Sequence, residues 1–351
     1  MNMTENESSL LEGVKISRVF FPVAIGLGVV AYMFYKEFDP ESFKQVTFEN
    51  GAIFWFLAAF MLMFARDAGY VIRLKILSGH ELSWMQAVKV VVLWEFTSAI
   101  TPSAIGGTSV AILYVHKEGI SVGKSTAVVL ATSFLDELYF LLMFPLLFFV
   151  IEPSALFAIS HGSKAISFAN EFFYFAVIGY LLKFLFTSLV SYGLFMNPRG
   201  IKQLINWVFQ LPILRKWKYS ADKVGNDIVL ASGELRSKGI VFWLKSFVAT
   251  LLSWTSRYWV VNCLFLVFFA VDDHFLVFAR QLVMWIMMLV SPTPGGSGFA
   301  EYVFSEYLGD FIPFAGFAVT LAFLWRIISY YLYLLLGVFV FPRWVNEKFR
   351  N

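Results

Sequence analysis

Six ionisable side chains stand where a long apolar run makes a charge costly: Glu95, Asp136, Glu137, Lys183, Glu301 and Arg326. Charges inside a membrane either pair with one another or mark a substrate or ion pathway. Asp136 and Glu137 are therefore expected to pair with Arg326 or Lys183 beside a cavity. A salt bridge that merely fastens helices fits the same residues, because a buried pair is weak evidence for either role. Glu95 lies seven residues before Pro102, and Glu301 seven residues after Pro294. Each has the chemistry to recognise an amine or carry a coupling proton; helix–helix hydrogen bonding is the structural alternative.

The two prolines belong to strings that cannot be continuous helix. One is Thr101-Pro-Ser-Ala-Ile-Gly-Gly-Thr108, the other Ser291-Pro-Thr-Pro-Gly-Gly-Ser-Gly298. Proline removes an amide donor and glycine removes helix preference. Half-helices starting near Gly106 and Gly296 would point free amides and positive dipole ends inward. Around them stand Thr101, Ser103, Gly107, Thr108, Thr293, Gly295 and Ser297. Such a cluster suits an anionic group, phosphate being the common one in a bilayer, and Arg326 would add a bidentate contact.

The elements that must carry these residues are read from composition. Hydrophobic residues make up 59% of 351 positions, with 41 Phe, and charged residues only 15%. A soluble domain carries about 25% charged residues. The chain is therefore expected to be an all-α integral membrane protein. Cys263 is the single cysteine, which excludes an intramolecular disulfide and a cysteine-built metal site. His80, His116, His161 and His274 form no ligand-spaced pair. No metal, cofactor or nucleic-acid partner is expected.

Apolar runs of about 20 residues cross a hydrocarbon core of ~30 Å. Six qualify: about 18–35, 52–72, 124–150, 171–196, 240–262 and 313–341. The regions 84–119 and 274–309 hold the Pro/Gly strings and read as re-entrant hairpins, since unwound backbone at membrane depth must be buried or line a polar cavity. Two ordinary helices joined by a surface loop is the alternative for 84–119. Residues 1–17 form a polar tail and 18–35 an uncleaved signal-anchor helix. The first unit is then 52–150 with its loop near 101–108, and the second 240–341 with its loop near 291–298. The helix 171–196 and a polar connector, 197–239, join them, and 342–351 is the second tail. In the connector, Ile201, Leu204, Ile205, Val208 and Phe209 share one helical face, suiting a surface-lying helix on an anionic leaflet.

Basic residues fall on alternate sides. Lys15, Arg18, Arg66, Arg73, Lys75, Lys89, Lys117 and Lys124 fall on one side, with the connector cations, Arg343, Lys348 and Arg350. Lys36, Lys44 and Lys164 fall on the other. Both termini are then expected inside the cytoplasmic (plasma or inner) membrane. By the same parity the two units would be inverted repeats, a transporter signature.

The string Pro294-Gly-Gly-Ser-Gly-Phe-Ala-Glu301, followed by Arg326, Tyr330, Tyr331 and Gly337, resembles the end of the lysylphosphatidylglycerol synthase transmembrane (flippase-like) family. Thr101-Pro-Ser-Ala-Ile-Gly-Gly is similar to that family's earlier loop, and it follows Arg66 and Arg73 as in the family. The likeness covers roughly 50–341. It implies a multi-pass module that moves an anionic or aminoacylated phospholipid between leaflets. Pro294, Gly295, Gly296, Gly298, Glu301 and Arg326 would be its signature positions. The family often has an acid–Arg pair where this chain reads Ser133-Phe-Leu-Asp-Glu137. Some relatives carry a soluble aminoacyltransferase domain; none is expected here, so a separate lipid-modifying enzyme is one expected partner, and a second copy of the chain another.

The function expected is therefore binding and flipping of a lipid with a phosphate-bearing headgroup, without catalysis. The rivals are an ion-coupled carrier of a small polar solute and an intramembrane enzyme. The last would draw on Asp272-Asp273-His274, which reads otherwise as a solvated turn.

Overall fold

A computed structural model describes residues 46–101, 104–158, 165–211, 218–288, 296, 298–314 and 316–349, with 31, 32, 35 and 44 before them. The described residues are helical and contain no strand. The signal-anchor expectation at 18–35 lies almost wholly outside them, as do Pro102, Ser103, Thr293, Pro294, Gly295 and Ser297.

Among the described residues, five helices are long and apolar enough to cross a membrane. They are α1 (Ala52–Leu77), α4 (Val122–Val150), the Ala176–Phe195 part of α6 (Ala165–Phe195), α9 (Ile240–Phe268) and α12 (Phe317–Phe349). Each overlays an expected crossing, with ends that differ by up to eight residues. Local chemistry marks the starts of their neighbours. Ser83 and Gln86 exchange side-chain and backbone hydrogen bonds at the head of α2 (Trp84–Ile100), a capping box. Ser121 accepts from Lys124 N at the head of α4.

α2 and α3 (Ala104–Lys117) form an antiparallel hairpin. At one end Gln86 Nε2 donates to Glu118 O at 3.1 Å. At the other, Gly107 lies so close to Ser98 that a Cβ there would stand 3.1 Å from its Cα. With 14 residues, α3 rises only about 21 Å, short of a hydrocarbon core. The second broken region also holds two helices. α10 (His274–Met287) packs against α11 (Phe299–Leu308), and Arg280 joins them by donating to Tyr307 O at 3.0 Å and Asp310 at 3.1 Å. α11, at 10 residues, is shorter still.

α1 and α9 form the central pair and run antiparallel. Glu49 N donates to Val267 O at one end, while Ser253 Oγ donates to Arg66 O and Arg73 reaches Thr250 farther along. They approach closely at Gly69, where a Cβ would meet Ala249 O at 2.8 Å as well as Ser253 Oγ. α6 packs more loosely; Ile178, Leu181, Leu182, Phe184 and Leu185 on it are exposed, as a lipid-facing surface requires.

A short turn at Pro153–Leu156 (α5) follows α4, and the connector holds two helices, α7 (Pro198–Val208), which carries the expected amphipathic face, and α8 (Lys218–Arg236). Asn206 and Lys202 bind Asp222 across them at 3.0 and 3.6 Å, and the Asn206 amide holds the Asp222 carboxyl below its ordinary pKa. Ala231 and Leu235 of α8 bury against the same core as Val128 of α4.

Candidate functional site

The helices enclose a cavity of about 480 Å³, within the ~300–1,000 Å³ of small-ligand sites. Residues of α1, α2, α4, α9, α10, α11 and α12 line it, among them four arginines: Arg66, Arg73, Arg257 and Arg326. Aromatic rings fill the wall between the charges, with Tyr70, Trp254, Tyr258, Trp285, Tyr330 and Tyr333 all present.

Arg66 is 1% exposed and held by two carboxylates, Glu95 at 2.7 Å and Asp67 at 2.9 Å. Its guanidinium sits 4.5 Å from the Tyr70 ring centroid, and Tyr333 donates its hydroxyl to Asp67. Arg73 binds both oxygens of Asp136, at 2.6 and 3.3 Å, and Trp254 Nε1 donates to the same carboxylate at 2.6 Å. These two arginines were expected on a cytoplasmic helix end. Both are buried within α1, which runs on to Leu77, and each is met by a carboxylate from another helix, Glu95 at Arg66 and Asp136 at Arg73.

Arg326 meets Glu301 through a 3.1 Å bond, both side chains being almost fully buried. Glu301 Oε2 also accepts from Gly298 N at 2.8 Å, capping α11. Gly298 has φ 80° and Gly296 φ 71°, a backbone that a Cβ disfavours. The short glycine string and the glutamate three positions later are thus one device: a turn that aims a carboxylate at Arg326. A π turn at Ile327–Tyr331 follows immediately, and its extra residue per turn leaves Ser329, Tyr330 and Tyr333 on the wall beside Arg326. Gly337, farther along α12, abuts the Phe96 ring of α2 with no room for a side chain.

Of the expected pairings, Glu137 with Lys183 is present at 2.5 Å, and the ammonium lies 3.7 Å over the Trp285 ring. Asp136 is held by Arg73 rather than by Arg326. Glu95 and Glu301, expected to await an amine or a proton, each face an arginine. Thr101 is half buried and donates its hydroxyl to Thr97 O at 2.9 Å. Gly106 lies in the first turn of α3 and Gly107 packs the hairpin.

Arg257 was missed by sequence reasoning. It interrupts the apolar run 240–262 as visibly as Lys183 interrupts its own, so the rule that found one applied to the other. Four buried polar atoms on cavity-lining residues have no hydrogen-bond partner: Arg66 Nε, Thr132 Oγ1, Glu137 Oε2 and Ser329 Oγ. Such orphans are rare in a finished interior and call for water or a ligand.

Two residues of the Asp272-Asp273-His274 string have partners within the fold. Asp273 accepts from Leu276 N at 2.8 Å and caps α10, while His274 Nδ1 meets Asn262 Oδ1 at 2.9 Å. Among the described residues no three His, Cys, Asp or Glu side chains converge as a metal site.

No solved structure is significantly similar to the chain. A UPF0104 membrane protein of Archaeoglobus fulgidus is 29% identical over 294 residues, covering 80% of this chain and 84% of its own. The family model described as the lysylphosphatidylglycerol synthase TM region matches residues 19–337. This multi-pass membrane protein belongs to the lysylphosphatidylglycerol synthase TM region family.

Proposed function

We propose that the chain binds the phosphate-bearing headgroup of a membrane lipid in this cavity and carries it between the leaflets of the cytoplasmic membrane. The observation that carries the reading is a cavity of about 480 Å³ lined by four arginines inside an apolar, membrane-crossing bundle. Buried guanidinium groups are the side chains best suited to phosphate. The two helical hairpins, too short to cross, act as re-entrant elements that meet at the cavity. The antiparallel α1–α9 pair supports an inverted relation between the units, the plan by which one site can be presented to either side. Both tails then lie on the cytoplasmic side. The family's description points to phosphatidylglycerol or its aminoacyl ester as the first lipids to try.

The test is native mass spectrometry of lipids retained in mild detergent, wild type against Ser133→Trp, which places an indole in the cavity. Selective retention of one phospholipid class, lost in the variant, supports the reading. Proteoliposomes should then move a fluorescent analogue of that lipid between leaflets. Non-selective lipid, equal in both proteins, would instead favour a carrier of a small polar solute.

A further inference from the structure

Three of the four cavity arginines already have an anion. Arg73 holds Asp136, Arg326 holds Glu301, and Arg66 is held by Asp67 and Glu95. Arg257 is different. Among the described residues it has no carboxylate and no hydrogen-bond acceptor, and the Trp254 ring lies 5.6 Å from its guanidinium. At that distance a cation–π contact is weak and leaves the guanidinium charge largely unmatched.

Its position rules out the usual escape. Arg257 lies 11 residues before the end of α9 at Phe268 and 17 after its start at Ile240. At 1.5 Å per residue the nearer end is about 16 Å away, too far for an arginine side chain to snorkel to the interface. Helical spacing accounts for where it points. Thr250 and Ser253 precede it by seven and four residues on one face of α9, and both are spent on α1, at Arg73 and at the Arg66 carbonyl. Arg257 continues that polar stripe into the cavity, half buried on its wall.

We infer that Arg257 is the counter-ion of the headgroup phosphate, and that the site takes one negative charge: a phosphodiester rather than a phosphomonoester or a pyrophosphate. This rests on the lipid-headgroup reading above. The other three arginines face four carboxylates, two of them on Arg66, so they carry no surplus positive charge and a second negative charge on the ligand meets no second uncompensated cation. Arg326, expected from sequence to grip the phosphate, is committed to Glu301 and shapes the wall instead.

The experiment measures binding of dioctanoyl phosphatidylglycerol and dioctanoyl phosphatidic acid to the purified protein in detergent. Wild type, Arg257→Gln and Arg257→Lys are compared, with melting midpoints for each. Wild type should prefer the phosphodiester. Arg257→Gln should weaken phosphatidylglycerol about tenfold or more, the scale of a lost charge-assisted contact, with an unchanged melting midpoint. Arg257→Lys should keep part of the affinity, because it retains the charge and loses the fork, and it serves as the test should the Gln variant not fold. Equal affinity in wild type and Arg257→Gln, or in Arg257→Lys where that is the variant measured, would overturn the assignment while leaving the cavity reading intact. Tighter binding of phosphatidic acid would overturn the single-charge rule. Binding of neither lipid by wild type would bring down the headgroup reading and this inference with it.

Discussion

Arg73 and Asp136 lie 63 residues apart in the chain and meet fork to fork, tying α1 to α4 beside the cavity. Trp254 adds a third bond to the same carboxylate from α9, so one acid joins three membrane-crossing helices. Removing either partner of a buried pair costs about 3–5 kcal/mol, because the survivor is left charged and dry. Asp136 is 25% exposed to the cavity, which reduces that figure.

Asp136→Asn should therefore destabilise the protein by about 2 kcal/mol, since its amide adds a donor facing Arg73. The double variant Arg73→Met/Asp136→Leu should recover most of that loss. A thermal-melting double-mutant cycle in detergent, with Arg73→Met and Asp136→Leu as its single variants, reads it. Additive single effects would mean that the fork is not an energetic unit.

The membrane-crossing elements were legible because apolar run length is a one-dimensional property; the pairing of charges was not. The runs at 52–72 and 240–262 anticipate α1 and α9, yet nothing in periodicity says that these two pack against each other. That contact decides the rest. It draws Arg66 and Arg73 into the bundle, whereas the alternation of basic residues set both with the cytoplasmic segments. It also turns Arg257 toward the cavity. The Pro/Gly strings marked real breaks, and the seven residues from Pro294 to Glu301 made the acid visible. Its partner was not inferable, because the link to Arg326 depends on α11 folding back beside α12.

Gly69 tests the α1–α9 approach. A Cβ there meets Ala249 O and Ser253 Oγ, and the first is backbone that cannot turn away. Gly69→Ala should cost about 1–3 kcal/mol through overpacking, with Ser253→Ala restoring only part. Gly233 in α8 is the control. A Cβ there meets nothing within 4 Å, so Gly233→Ala should stabilise by about 0.5–1 kcal/mol through helix propensity. Opposite signs in melting midpoint are expected; equal effects would remove the case for close helix contact at Gly69.

Gly298 tests the glutamate-aiming turn. At φ 80° and ψ −45° it occupies a region that a side chain strains, and such residues cost about 1–3 kcal/mol. Gly298→Ala should lower stability on that scale and weaken lipid retention by displacing Glu301 from Arg326. Glu301→Gln keeps an acceptor for Gly298 N while removing the charge, so it should preserve the turn better than Glu301→Ala. Indistinguishable Gln and Ala variants would show that the N–H···carboxylate bond contributes nothing there.

Lys183 tests how α6 is fastened. Much of that helix faces outward, and among the described residues its polar attachments to the bundle include the 2.5 Å Lys183–Glu137 pair and the 3.1 Å bond from Tyr180 OH to Leu141 O. Glu137 Oε2 already lacks a partner, so losing the ammonium would leave the whole carboxylate unmatched. Lys183→Met should raise amide hydrogen exchange across Ala176–Phe195 relative to the α1–α9 pair. Lys183→Met/Glu137→Leu should reverse much of the increase, because two apolar side chains at that contact leave no orphan charge. A lipid carrier also needs one side that can open laterally, and the α6 side is the more loosely packed. Faster headgroup exchange in Lys183→Met would place that opening between α4 and α6, whereas unchanged exchange of both amides and lipid would make the pair a fixed strut.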